Sequence, residues 1–200
     1  MGRDSSRNFT RERIAHLAAR MMAEDGIEDY AHAKRKAARQ AGAQDARQLP
    51  DNEEIEAALR TYRALYSQQH PAQLRQLREL ALTVMTELSQ FNPHLIGAVL
   101  NGTAGEFADI QLQLFVDSNK AVEIELLNRG ISFRTSAVRL YAGEMPIDAE
   151  VLLFERDAVT IRLTLLSPRE LRSRVQTSTG GRPIERADSQ AVEALLASQA

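Results

Sequence analysis

The segment LNGTAGEFADIQLQLF, residues 100–115, holds the side chains with the clearest capacity for chemistry. A glycine turn at Gly102 and Thr103 leads into an alternating run that carries Asp109 and, two residues later, Gln111. Side chains two apart on a strand point to the same face, and two carboxylates so placed can hold a pair of divalent cations. Here the second position is an amide, a neutral and weaker ligand for Mg²⁺. The segment is therefore either an ordinary half-solvated strand or a metal-binding strand without its second acid.

VLNGTAGEFADIQLQLF resembles the nucleotidyltransferase superfamily, whose members have a catalytic core like that of DNA polymerase β. In that family one strand ends in Gly-Ser, the next carries Asp-x-Asp, and a third acid comes from a later strand. The resemblance covers residues 95–166 and puts Gly102 and Thr103 in the place of Gly-Ser and Asp109 in that of the first acid. It implies that the amides of the glycine turn face phosphate. The whole chain also resembles uncharacterised bacterial proteins with a helical N-terminal half, through MAEDGIEDYAHAKRKAARQ and FNPHLIGAVLNGTAGEFADIQLQLF.

The chain departs from the family pattern at three points. Gln111 takes the place of the second acid, and Arg162, on the polar face of the alternating segment VTIRLTL, takes that of the third. The spacing from Gly102 to Asp109 is also short compared with that of the active enzymes of the family. We therefore expect Asp109 and Arg162 to pair across adjacent strands and to close a degenerate site that no longer binds metal.

These departures favour a catalytically degenerate protein, a nucleotide-binding or regulatory module rather than an enzyme. Its ligand-binding residues would be Gly102, Thr103, Asp109, Gln111 and Arg162. In that case no cofactor is expected.

Two alternatives stay open. The first is an active Mg²⁺-dependent nucleotidyltransferase, in which Asp109 is the catalytic metal ligand and Glu150 or Asp117 supplies a further acid. The second is a structural module that binds a protein partner and has no small-molecule site.

Composition excludes several classes of protein. The chain has 200 residues, a formal net charge of -2 and no cysteine, so disulfides, thiolate zinc sites and cysteine catalysis are ruled out. No apolar run approaches the roughly 20 residues of a membrane span, and the N-terminus lacks the apolar stretch of a signal peptide. We expect a cytoplasmic protein that does not bind membranes.

Three further features suggest partners or ligands. The basic run HAKRKAARQ carries Lys34, Arg35, Lys36 and Arg39, which either contact nucleic-acid phosphates or form an ordinary solvated helix face. The amphipathic N-terminal helices offer surfaces for a homodimer or a protein partner. The loop STGGRPIERA, residues 178–187, either wraps an anionic ligand or serves as a linker.

The hydrophobic pattern predicts the elements that position these residues. Apolar residues at helical spacing predict four helices in the first half: one from an N-cap at Thr10 to Gly26, one over 27–42, one capped by Asp51, and one with Pro71 in its first turn. After FNPH the pattern predicts strands over 95–101, 108–117, 131–141, 149–155 and 158–166. It also predicts helices over 120–130, 167–175 and 190–198.

The predicted fold is α+β: an N-terminal helical segment, 1–70, followed by a nucleotidyltransferase-like mixed sheet with flanking helices, 71–200.

Overall fold

The computed structural model describes residues 2–25, 27, 29–43, 49–66, 69–105, 107–179 and 181–198. The chain divides into two compact units, Met1–Pro71 and Ala72–Ala200. Helices come first and a curled mixed sheet with flanking helices follows, which confirms the predicted α+β class. In the described part of the chain, no helix combines the length and apolar character needed to cross a bilayer.

Within its described residues, the first unit contains the helices α1 (Gly2–Glu24), α2 (Tyr30–Gln40) and α3 (Asn52–Tyr66). Ile14, Ala18, Ala37 and Leu59 are among the residues of its core, which is rich in alanine. Small side chains let helices approach closely, so this core is compact although it holds few large residues.

The start of α3 follows the prediction, whereas the start of α1 does not. Asp51 accepts a hydrogen bond from the N–H of Glu54 at 2.9 Å, and the Glu54 carboxylate accepts one from the N–H of Asp51 at 2.7 Å. These reciprocal bonds form a capping box. The prediction of an N-cap at Thr10 is wrong, because α1 already begins at Gly2 and no glycine or proline interrupts it before Thr10. The predicted stop at Gly26 lies outside the described residues.

The second unit contains the sheet and its helices. The helices are α4 (His70–Glu87), α5 (Gly97–Asn101), α6 (Asn119–Asn128), α7 (Pro168–Leu171) and α8 (Ser189–Ala197). The strands are β1 (His94–Ile96), β2 (Ile110–Phe115), β3 (Arg134–Ala142), β4 (Met145–Arg156), β5 (Val159–Leu166) and β6 (Val175–Gln176). The buried residues of α4 belong to the core of the sheet, whereas those of α1, α2 and α3 form the core of the N-terminal unit.

The strands lie in the order β1-β2-β5-β4-β3-β6. β2 and β5 run parallel, and the other neighbouring strands are antiparallel. Two short hairpins connect β3 to β4 and β4 to β5. This order sets the two alternating segments of the sequence side by side, with Gln111 opposite Arg162.

The two faces of the sheet differ. One face is covered by helices, and Ile110, Leu112 and Leu163 are fully buried in its core. On the other face, Phe115, Leu166 and Val175 form a smaller cluster at one end. Gln111 and Arg162 lie on this second face, which we call the open face, at the end opposite to that cluster. Both are half-buried there.

The predicted strand over residues 95–101 is wrong beyond Ile96. Gly97 has a φ of +71°, which takes the backbone out of the strand, and the next residues form α5. Periodicity alone cannot distinguish a strand from a helix in a short apolar run such as AVL. Arg78 of α4 fixes the helical turn, since its guanidinium donates to the carbonyls of Val99 at 3.0 Å and Leu100 at 2.8 Å. Burial lowers the pKa of Arg78.

The elements after β5 are shorter than predicted. The helix expected over 167–175 is limited to Pro168–Leu171, and the chain then forms the two-residue strand β6. The last helix begins at Ser189, where the carboxylate of Asp188 accepts from the N–H of Ala191 at 2.8 Å.

Candidate functional site

The predicted pair of Asp109 and Arg162 is formed. Asp109 immediately precedes β2, and its Oδ2 accepts a hydrogen bond from Nη2 of Arg162 at 3.1 Å. The side chains are 29% and 39% exposed, respectively, so the pair is open to water. The expected pairing across adjacent strands is therefore confirmed.

An ion pair with this exposure is weak and exchangeable. Exposed pairs of this kind contribute about 0.2–1 kcal/mol to stability, because solvent screens them and both side chains lose freedom. A phosphate can offer a guanidinium two parallel charge-assisted bonds, which are stronger than one bond to a carboxylate. Arg162 can thus leave Asp109 for a phosphate at little cost.

The glycine that lies against Gln111 is Gly97. A Cβ added to Gly97 would lie 3.1 Å from Oε1 of Gln111, so the Gln111 amide packs directly against the Gly97 backbone. Gly97 follows β1 without a gap and stands twelve residues before Asp109. The sequence itself could have pointed to Gly97 as the glycine of the site, because Gly97 follows the first apolar residues after FNPH.

Gly102 and Thr103 have a different role from the predicted one. Both N–H groups donate to the carbonyl of Ala98 and close α5, and Gly102 adopts a φ of 80°. The Thr103 hydroxyl donates to Oδ1 of Asn101 at 2.6 Å. The expectation that these amides face phosphate is not met in this arrangement, since the turn itself uses them.

The acids proposed for an active site do not lie near Asp109. Asp117 follows the far end of β2, roughly 25 Å along the strand at about 3.3 Å per residue. Glu150 lies opposite Leu165, on the helix-covered face, and accepts from Nδ2 of Asn119 at 2.8 Å. Because strand geometry separates them, neither acid can complete a metal site with Asp109, and this part of the prediction is wrong.

Glu155 and Arg134 share the open face with Arg162, and the sequence reasoning missed both. Glu155 of β4 lies opposite Thr160 of β5. Arg134 of β3 lies opposite Leu153 of β4, and Leu153 in turn lies opposite Arg162 of β5. Only the register of β4 shows this, because no local pattern links these residues. Glu155 is two strand spacings from Asp109, roughly 10 Å, whereas paired metals lie about 4 Å apart.

The donor set around Asp109 does not fit Mg²⁺. Its immediate neighbours are the Gln111 amide and the Arg162 guanidinium, and a guanidinium repels cations. Within the described ranges, no three acids or histidines group together as metal ligands.

A second polar cluster lies farther along the same face. Gln113 is fully buried, and its Oε1 accepts from Nε of Arg186 at 2.6 Å. The Arg186 guanidinium also donates to the carbonyls of Glu170 and Leu171 and lies 5.0 Å from the Phe115 ring centre. Burial lowers the pKa of Arg186.

This cluster holds one end of the loop over residues 178–187 against the sheet. Arg186 points inward and anchors the loop to the sheet, while Arg182 pairs with Glu185. Both arginines of the loop thus have partners within the chain.

The basic run on α2 is divided between two surfaces. Arg35, Lys36 and Arg39 are exposed, and Nζ of Lys36 lies 2.8 Å from Oδ2 of Asp25. Lys34 is half-buried, and desolvation lowers its pKa. The four basic residues therefore do not form one exposed patch.

A cleft of about 490 Å³ lies between α4 and the β4–β5 turn, lined by Gln76, Thr83 and Asp157 among other residues. Val159 also lines it and shares the helix-covered side of β5 with Ile161. The cleft is thus on the face opposite to Arg162 and is not part of the candidate site.

Comparisons of the chain with protein-family models, curated proteins and solved structures gave no match. The geometry of the open sheet face is therefore the basis for any functional proposal.

Proposed function

We propose that this chain is a nucleotide-binding module with a nucleotidyltransferase-like arrangement of strands and without transfer activity. The observation that carries the proposal is the Arg162–Asp109 pair, in which a cation occupies the place where the family resemblance implies an acid. The strand order supports it: β1 lies antiparallel to β2, and β2 parallel to β5, so Gly97, Gln111 and Arg162 meet on one face.

Each residue has a distinct role in this proposal. Arg162 binds phosphate through its fork of N–H donors. Gln111 offers an amide that can donate or accept, and Gly97 leaves room for it. Asp109 holds Arg162 in position when the ligand is absent. Arg134 lies one strand beyond Leu153 on the same face and adds a second positive charge.

Transfer chemistry needs more negative charge than this face provides. In-line phosphoryl transfer by two metals requires carboxylates that bridge the ions. Asp109 is instead neutralised by Arg162, and the next position is an amide. Binding of a nucleotide phosphate by Arg162 needs no metal, because the arginine supplies the positive charge.

A thermal-shift titration tests the proposal. ATP, GTP, CTP and UTP are added in turn, with either MgCl₂ or EDTA, since a ligand that binds the folded state raises the Tm. We expect at least one nucleotide to raise the Tm equally in both solutions. Arg162→Met should abolish the shift, and Asp109→Asn should increase it by releasing Arg162.

Arg139→Met is the matched control. Arg139 forms an ion pair with Asp148 on the same sheet, at 2.8 Å, but lies away from Gln111. This variant should keep the nucleotide shift. Stabilisation that requires Mg²⁺ and comes with product formation would support the active alternative, and no shift with any nucleotide would support the structural one.

A further inference from the structure

The outer edge of β3 is unpaired over most of its length. β3 pairs with β4 along all of Arg134–Ala142, but β6 pairs only with Tyr141 and Ala142. In the part of the chain that the structure describes, no strand lies along the outer side of residues 134–140. Arg134, Thr135, Ser136, Ala137 and Arg139 are exposed.

This edge has little of the usual protection against strand pairing. Natural edges are blocked by prolines, charged side chains, especially lysine, bulges or short strands. The segment RTSAVRL contains no proline or lysine, and its register with β4 runs without a bulge. Of its two charged residues, Arg134 and Arg139, the second is paired with Asp148. β6 shows that the end of the same edge already accepts an antiparallel strand.

The hairpin turn determines which backbone groups face outward. The two-residue loop Gly143–Glu144 has positive φ at Gly143, as in a type II′ turn, and such a loop is closed by a hydrogen-bonded pair, here Ala142 and Met145. Hydrogen-bonded pairs alternate along an antiparallel ladder. The N–H and C=O groups of Thr135, Ala137 and Arg139 therefore point to the open edge.

We propose that this edge pairs with the same edge of a second copy of the chain, antiparallel and centred on Ala137, so that the two sheets become continuous. The three outward residues are spaced symmetrically about Ala137. In this register Ala137 pairs with its counterpart and each Thr135 pairs with Arg139 of the other copy, so every outward group is used. If the pairing is centred one residue earlier, the outward N–H and C=O groups of Arg139 have no partner within the segment. If it is centred one residue later, Thr135 has to pair with Tyr141, which already pairs with β6.

The side chains are self-complementary in the same register. Arg134 comes to lie opposite Leu140 and Arg139 opposite Thr135, so no like charges face each other. Asp148 neutralises Arg139, and the Arg139 guanidinium holds the pKa of Asp148 below its ordinary value. The smallest side chain of the segment stands at the centre, where the two strands approach each other.

Sedimentation equilibrium of the full chain tests the proposal. A single strand pair is a small interface, so we expect a weak dimer whose fraction grows with protein concentration up to about 500 µM. Ala137→Lys should weaken the dimer by about tenfold or more, because the two introduced lysines would face each other. Within one copy the lysine lies opposite Glu150, so the fold should be kept.

Met145→Lys is the matched control, since it adds the same charge to the same hairpin at a highly exposed position outside the edge. It should leave the dimer unchanged. Hydrogen exchange supplies the residue-level readout: the amides of Thr135, Ala137 and Arg139 should gain protection as concentration rises, whereas those of Ser136 and Val138 are protected at every concentration by β4. A monomer throughout the concentration range, or a dimer that Ala137→Lys does not weaken, would overturn the proposal.

Discussion

At the scale of single residues, Asp109 meets a guanidinium and an amide rather than a second carboxylate. Arg162 and Arg134 both project from the open sheet face, so these two residues would supply the positive charge of the proposed anion site. The energies involved are small, since the Arg162–Asp109 pair is exposed to water. What the pair supplies is orientation, as it holds Arg162 beside Gln111.

A comparison of alanine substitutions at Gly97 and Gly130 separates the energetic cost of displacing Gln111 from the cost of backbone strain. Both have a φ of +71°, but an added Cβ would meet Gln111 at 3.1 Å in the first case and no atom within 4 Å in the second. We expect Gly130→Ala to cost about 1–2 kcal/mol of unfolding free energy from the left-handed backbone alone.

Gly97→Ala should cost more than this, because the Gln111 amide must also move. Urea denaturation measures the difference, and the side-chain amide resonances of Gln111 should shift in Gly97→Ala only. Equal costs in the two variants, with unchanged Gln111 resonances, would show that Gly97 does not position Gln111.

Gln113→Glu should stabilise the protein. Nε2 of Gln113 and Nη2 of Arg186 are buried donors without a hydrogen-bond partner among the described residues. A carboxylate would accept from both Nε and Nη2 of the arginine and would remove the amide donor. We expect a gain of about 1–2 kcal/mol in unfolding free energy, measured by urea denaturation.

Gln76→Glu on the exposed side of α4 serves as the control and should change the free energy little. A loss of stability in Gln113→Glu would mean that the cost of burying the carboxylate exceeds the gain from pairing it with Arg186.

At the scale of elements, the two hairpins differ in how well their turns suit their residues. The β3–β4 turn has its positive φ at a glycine, which adopts it freely. The β4–β5 turn instead places Asp157 at φ 51° and Ala158 at φ 60°. Alanine has no side-chain group to offset the left-handed conformation, so this hairpin stores strain.

Ala158→Gly should therefore raise the unfolding free energy by about 1 kcal/mol. A thermal or urea denaturation curve of the full chain measures it. Ala121→Gly, at an exposed position within α6, should have the opposite effect and lower stability by about 1 kcal/mol, because glycine disfavours a helix. If both changes destabilised the protein, the strain assigned to Ala158 would be absent.

At the scale of the whole molecule, the chain has separate cores. The buried residues of α1, α2 and α3 form one cluster, and those of α4 and the sheet form others, with no residue in common. Each unit thus buries its own apolar surface, which is what independent folding requires.

A fragment of residues 70–200 should accordingly fold alone. We expect its amide spectrum to overlay that of the same residues in the full chain, and its circular dichroism to show a cooperative thermal transition. Broad, poorly dispersed amide signals would instead mean that the sheet unit depends on the N-terminal helices.

Much of the sheet could be derived from local sequence. The alternation of Ile110, Leu112 and Leu114 with polar residues fixed one face of β2, because side chains on a strand alternate between faces. The pairing of Asp109 with Arg162 followed from the same reasoning, once the family resemblance had suggested that their strands are neighbours. The error at residues 97–101 arose because three apolar residues in succession suit a strand or a helix equally well.

The sequence by itself determined the α+β order of elements, the cap at Asp51 and the polar face of β2 that carries Asp109 and Gln111, since these depend on nearest neighbours and on helix or strand periodicity. The register of β2 with β5 then placed Arg162 on that face. Only the tertiary structure decided that Gly97 packs against Gln111, that the amides of Gly102 and Thr103 are used within their turn, and that Glu150 lies on the opposite face. These depend on strand register and on contacts between residues far apart in the chain, and no local pattern encodes them.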